Sequence, residues 1–222
     1  MSSIVNNLET THDMKDSGIE WIGEIPRDWK VIRVKNEFKP IKRVVGQEVD
    51  KYERLALTLN GVIKRSKEDA EGLQPEKFEG YQILKENELV FKLIDLENLK
   101  TSRVGLSAYC GLVSPAYIIL TNGSHDNRFS YYYFMSLYYG AIFNSLGGDG
   151  VRSALNKNDL LNIPYVCPPT HEQQAIANYL DEKCSKIDQM IEQEQEFIKQ
   201  LEEYKQSLIY ECVTGKIEVR ER

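Results

Sequence analysis

The sequence has 222 residues, 41% of them apolar and 28% charged, which suits one sizeable core with an appendage and excludes wholesale disorder. A formal net charge of −6 argues against indiscriminate coating of nucleic acid, yet residues 27–67 hold twelve basic and five acidic side chains whereas residues 170–222 hold seven basic and twelve acidic. No apolar run approaches the roughly 18 residues of a membrane span, no basic and apolar leader opens the chain, and Cys110, Cys167, Cys184 and Cys212 form no CxxC pair, so the expectation is a cytoplasmic chain with reduced thiols, no structural metal and no cofactor.

Residues 1–16 are polar and expected to be loose. Residues 17–29, SGIEWIGEIPRDW, carry two tryptophans and a proline among turn formers and suit an extended strap pinned by aromatics. Residues 31–38 fit a strand or a short helix. The run 55–59 precedes Asn60-Gly61, a strong hairpin signal. Further β-prone runs lie at 88–94, 104–106 and 115–120, the last ended by Thr121-Asn122-Gly123. Residues 130–143 are long and aromatic enough for a buried helix, whose spacing turns most of Tyr131, Tyr132, Tyr133, Tyr138 and Tyr139 to the core. Residues 144–150, NSLGGDG, read as a loop, and residues 159–166 lead into the firm stop Cys167-Pro168-Pro169.

Residues 170–213 contain neither proline nor glycine. Thr170 suits an N-cap, with Gln173 at capping-box spacing, and Gly215 suits the C′ position. Such a helix is roughly 65 Å long, too long for one small core. Ala177, Leu180, Cys184, Ile187, Ile191, Glu194, Ile198, Leu201, Lys205, Leu208 and Cys212 alternate at spacings of three and four, the pattern of a coiled-coil seam. Glu194 and Lys205 are its charged members and would face each other in an antiparallel pair.

No GxSxG, HExxH, GxGxxG or GxxxxGK[ST] motif is present. The GGDG at 147–150 lacks the lysine of a phosphate loop. Asn162-Ile163-Pro164-Tyr165 is best taken as a strand approaching the double proline rather than as a base-holding element of an adenine methyltransferase. His12, His125 and His171 have no partner at ligand spacing. Binding is better supported. Lys64, Arg65 and Lys67 follow the Asn60-Gly61 turn, where a basic loop reaches phosphates or base edges. Arg103 lies between two β-prone runs, and Arg152 follows the glycine-rich loop.

SGIEWIGEIPRDWKVIRVK near the front, VSPAYIIL at 113–120, IPYVCPPTHEQQAIANYLDEKCSKID at 163–188 and LEEYKQSLIYECVTGKIEV at 201–219 resemble the specificity subunit of type I restriction-modification enzymes. The resemblance implies a non-catalytic, α+β chain: a mostly β target recognition domain that reads double-stranded DNA, then a long coiled-coil helix. It implies type I methyltransferase subunits as partners and motor-nuclease subunits that join through the complex. On this basis residues 1–16 are a flexible terminus, 17–169 the recognition domain, 170–214 the spacer and dimerisation helix, and 215–222 a tail. The expected DNA contacts are Asn60, Lys64, Arg65, Lys67, Arg103, Arg128 and Arg152. Leu180, Ile187, Ile191, Ile198, Leu201 and Leu208 are the expected interface. Pro168, Pro169, Glu172, Gln173 and Gln174 match the family's motif at the start of the helix. The sequence departs from the common pattern in holding one recognition unit where the family usually has two. The heptad seam then implies a homodimer reading an interrupted palindrome. The competing reading is a truncated fragment that serves only as a coiled-coil interaction protein, without DNA reading of its own.

Overall fold

The computed structural model describes residues 13–67, 77–94, 96, 101–124, 126–146 and 154–219. The first part is built from short strands: β1 (Met14–Asp16), β2 (Glu24–Pro26), β3 (Lys30–Arg33), the one-turn α1 (Val34–Glu37) and β4 (Lys39–Ile41). A 3₁₀ segment, Gly46–Lys51, precedes β5 (Arg54–Thr58), β6 (Gly61–Arg65), β7 (Gln82–Leu84), β8 (Leu89–Phe91), β9 (Val104–Leu106), β10 (Gly111–Val113) and β11 (Ile118–Thr121). Then come α2 (Arg128–Tyr139), α3 (Ile142–Leu146), α4 (Lys157–Asn162), β12 (Pro164–Cys167) and the long α5 (Thr170–Val213). The chain divides into two compact units, Met1–Gln174 and Ala175–Arg222, so the first turn of α5 belongs with the β-rich unit.

Two four-stranded sheets carry that unit. One has the order β6-β5-β10-β7, with β10 parallel to β5; the other has the order β4-β11-β8-β9 and is antiparallel throughout. Leu55, Leu57, Val62, Leu84 and Val113 of the first sheet meet Val90 and Ile119 of the second in one buried cluster. Each such side chain contributes roughly 1.5–3 kcal/mol of hydrophobic stabilisation, and the shared cluster holds the sheets face to face.

A second, aromatic cluster seats α2. Phe38 meets Phe134 and Tyr165 edge-on at centroid distances of 6.1 and 5.6 Å, and Phe91 meets Phe134 at 4.9 Å. The buried side chains of α2 are Phe129, Ser130, Phe134, Met135 and Leu137, not the tyrosines expected there. Tyr131, Tyr132, Tyr133 and Tyr138 are half-buried and Tyr139 is exposed. The reason is the phenol, which needs a partner: Tyr133 reaches the rim and donates its hydroxyl to the Pro164 carbonyl at 2.6 Å. The expected helix over 130–143 is broken by Ala141, whose φ is 55°, giving α2 and α3.

Of the segment 1–16 expected to be loose, residues 1–12 lie outside the described residues and Met14–Asp16 form a strand instead. Met14–Asp16 pair antiparallel with Glu24–Pro26, and the ladder is closed by Arg27, which bonds Asp13 through backbone (2.8 Å) and side chain (2.6 Å). Residues 31–38 are both alternatives in turn, β3 and then α1, with β3 paired to β12. Asn162-Ile163-Pro164-Tyr165 does run into a strand, β12.

Proline 169, not Thr170, occupies the N-cap position of α5: its carbonyl accepts from the Glu172 and Gln173 amides at 2.9 and 3.0 Å. The far end closes as expected. Gly215 (φ 72°) donates to Cys212 O at 3.2 Å and Lys216 to Glu211 O at 2.8 Å, the two bonds of a Schellman motif. Along α5, Ile187, Ile191, Ile198 and Leu201 are each about half exposed. Among the described residues no helix is long and apolar enough to cross a membrane.

Candidate nucleic-acid interface

The β5–β6 hairpin pairs Arg54 with Arg65, Leu55 with Lys64, Leu57 with Val62 and Thr58 with Gly61. Its loop is therefore Leu59-Asn60, and Gly61 follows it at φ 83°, a left-handed position that glycine takes without a side-chain clash. Asn60 is exposed at the tip, its amide bonded to Thr58 Oγ1 at 3.1 Å. Leu55, Leu57 and Val62 share one face of the hairpin and enter the core, and Lys64, opposite Leu55 on that same face, is exposed.

The base of the hairpin and the 3₁₀ segment enclose an open groove of about 560 Å³. Lys51, Arg54, Lys64, Arg65 and Lys67 line it, against only Asp50 and Glu53 among acidic groups. Lys64 pairs with Glu53 at 2.6 Å, which holds the Lys64 ammonium above its ordinary range, and lies 5.2 Å from the Tyr109 ring centroid. Lys67 donates to the Val49 carbonyl at 2.7 Å and so ties the 3₁₀ segment to the end of the hairpin. Burial raises the Tyr81 and Tyr117 hydroxyls above the usual phenol range, and the positive charge of Arg54 partly offsets this. The Lys64–Glu53 pair is more than half exposed on both sides; such pairs contribute little to stability, so exchanging the carboxylate for another anion costs the fold little.

The structure thus brings together three of the seven expected contact residues, Lys64, Arg65 and Lys67. Asn60 stands at the tip of the same hairpin. Arg103 is a correction: it is fully buried, and no duplex reaches it in the folded chain. Its sequence position beside β9 looked like a loop, whereas the sheet edge is covered and the arginine is enclosed. Arg128 begins α2 and is held by Asp126 through contacts of 3.0 and 2.6 Å, which depress the Asp126 carboxyl below its usual range. Arg152 lies outside the described residues, as do His12, His125 and the GGDG loop. Lys51 and Arg54 were missed from sequence. Arg54 becomes legible only with the register, which sets it opposite Arg65; its side chain is buried.

The start of α5 forms a second cluster. Glu172 accepts the Trp29 indole N–H at 2.9 Å, and Gln173 donates its amide to the Pro168 carbonyl at 2.8 Å. Pro168 is buried, Pro169 half-buried, and Gln174 exposed. Trp29 is thereby the pin of the strap and Glu172 its socket, with the glutamate also suited to the positive end of the helix dipole. Among the described residues no group of three or more histidine, cysteine, aspartate or glutamate side chains is placed to hold a metal ion.

A family model described as the type I restriction modification DNA specificity domain matches residues 63–203, which include Lys64, Arg65, Lys67 and most of α5. The chain belongs to this family. Membership places it in the non-catalytic, specificity class of type I systems. Two curated specificity subunits of Methanocaldococcus jannaschii are similar. The putative MjaX subunit is 30% identical over 210 residues, covering 90% of this chain and 46% of the relative. The MjaVIII subunit is 27% identical over 217 residues, covering 90% and 48%. The specificity-domain chain described here therefore spans about half the length of those relatives. A solved structure concerned with complex assembly and conformational transition of the type I R-M system shares the fold, with a TM-score of 0.58 at 15% identity over 84% of this chain and 46% of that one.

Proposed function

We propose that this chain is the sequence-specific DNA recognition subunit of a type I restriction-modification system, directing adenine methylation and restriction carried out by partner subunits. The observation that carries the reading is the cationic hairpin groove, with Lys51, Lys64, Arg65 and Lys67 along it, on the β-rich unit of a specificity-domain family member. Cations in a shallow groove release counterions from duplex DNA, and arginine forks read guanine edges. The expected partners are duplex DNA, type I methyltransferase subunits and, through them, motor-nuclease subunits. Two copies pair through the α5 seam, the half-buried Leu180 and the exposed Ile187, Ile191, Ile198, Leu201 and Leu208, as a coiled coil. A two-fold assembly reads a two-fold site, here an interrupted palindrome.

The test is reconstitution with the neighbouring methyltransferase subunits, followed by mapping of methylated adenines. Methylation at one interrupted palindrome is expected, abolished when the chain is omitted. Reconstituted complex that assembles but methylates no defined site would leave the chain as an interaction fragment, the competing reading.

A further inference from the structure

We propose that Glu48 and Glu53 are internal stand-ins for DNA phosphate: in the free chain they occupy two lysines of the hairpin groove, and a duplex must displace them to bind. The inference rests on the DNA-recognition reading above and adds to that site a brake that acts on all sequences alike.

Two segments of opposite charge build the groove. Residues 46–53 carry three carboxylates and one lysine, whereas residues 61–67 carry three cations and no acid. The three lysines that line the groove are each engaged within the chain. Lys51 pairs with Glu48, and Lys64 pairs with Glu53 at 2.6 Å. Lys67 donates to the Val49 carbonyl at 2.7 Å, which holds the two segments together. Hydrogen bonding to a carboxylate raises both the Lys51 and the Lys64 ammonium above the ordinary lysine range. A phosphate offers an ammonium the same thing, an anionic oxygen that accepts a short N–H bond. All four side chains of the two pairs are more than half exposed, so a duplex reaches them. Asp50 lines the same groove, yet among the described residues it pairs with neither lysine.

Two effects follow when DNA arrives. Each paired lysine exchanges one anion for another, so it gains less than a free ammonium would. The released carboxylate then stays close to the phosphate that replaced it, like charge beside like charge. Neither effect involves a base edge, and phosphate contacts carry no sequence information. The brake therefore weakens cognate and unrelated duplexes by the same factor and leaves base preference untouched. It also lowers the effective number of cations at the interface, so affinity falls less steeply with salt than the lysines alone would dictate. The consequence for the subunit is a groove that carries several cations without being held on arbitrary DNA.

The experiment uses the full chain reconstituted with its methyltransferase subunits. Binding is measured to the duplex found by methylation mapping and to a scrambled duplex of equal length, at several salt concentrations. Glu48→Gln and Glu53→Gln should each tighten binding to both duplexes by about threefold, and together by about tenfold. The ratio of the two affinities should stay within about twofold of wild type, and the salt slope should steepen by up to about 0.9 for each carboxylate removed. Asp50→Asn makes the same charge change without freeing a lysine, so its gain should stay well under about twofold. On a Lys64→Ala background the Glu53→Gln gain should shrink in the same way. Equal gains from Asp50→Asn and Glu53→Gln, or a Glu53→Gln gain that persists without Lys64, would mean repulsion at a distance and overturn the proposal. A complex that methylates a defined site but whose affinity and slope none of these variants moves overturns the brake and leaves DNA recognition standing. A complex that assembles and methylates no defined site overturns both.

Discussion

Lys64 and Arg65 are neighbours on β6, yet in the proposed DNA contact they would carry different information. Lysine is a compact charge on a flexible stem, whereas arginine presents a rigid donor fork. Lys64→Ala and Lys67→Ala are expected to weaken binding to all duplexes alike and to make the salt slope shallower by about one unit each. Arg65→Ala is expected to relax preference at one base pair by roughly 1–3 kcal/mol. Titration of the reconstituted methyltransferase complex against cognate and single-base variant duplexes at several salt concentrations decides this. Unchanged affinity, slope and preference in all three variants would place the recognition surface elsewhere. Arg103 is a different matter. Being fully buried, its truncation to alanine should destabilise folding, because a large enclosed side chain leaves a cavity and its interaction partners lose their contacts. Urea denaturation reads that loss. At the same scale, burial holds the Tyr133 and Tyr165 hydroxyls well above the ordinary phenol range. The folded chain keeps those protons where the unfolded chain has released them, so stability falls as pH rises above about 10. Phenolate absorbance should show these two tyrosines ionising only on unfolding, and Tyr165→Phe should reduce the alkaline loss.

Among elements, α5 was the most legible from sequence. Forty-four residues without proline or glycine, followed by Thr214-Gly215, define it from end to end. Its N-cap was not legible, because the carbonyl that accepts the first helical bonds belongs to Pro169, a backbone role that side-chain preferences do not report. The hairpin was legible as a hairpin, but the placement of Gly61 after the loop rather than inside it depends on the register. The tyrosines of α2 were misread because helical spacing shows a common face without showing which face is buried; the phenols of Tyr133 and its neighbours favour the rim over the core. For α5 the expected outcome is that changing Ile191 and Ile198 together to aspartate abolishes pairing and spares the β-rich unit, since charges replace apolar layers. Light scattering and circular dichroism on the full chain check both halves of that statement.

For the molecule as a whole, the basic stretch and the acidic helix fall in separate compact units. The division explains how a chain of net charge −6 presents a cationic groove: counterion release depends on the local face, not on the sum. Membership of the specificity class carries a further expectation at this scale. The chain free of partner subunits should transfer no methyl group and cleave no DNA. Methyl transfer by highly purified chain alone, measured with a radiolabelled donor, would contradict it. What sequence could not supply at this scale is the fit of the two sheets. The cluster uniting Leu55, Leu57 and Val62 with Val90 and Ile119 joins residues far apart in the chain, and no local pattern announces such a meeting.

The indole of Trp29, donating to Glu172 at 2.9 Å, gives the chain an intrinsic optical gauge. Only one other tryptophan, Trp21, is present, and it is exposed. With Trp21 changed to phenylalanine, tryptophan emission comes from Trp29 alone and tracks the strap's attachment to the first turn of α5. A blue-shifted band then signals a seated strap and a red-shifted band a released one, so attachment of the strap to the helix can be followed in real time without an added label.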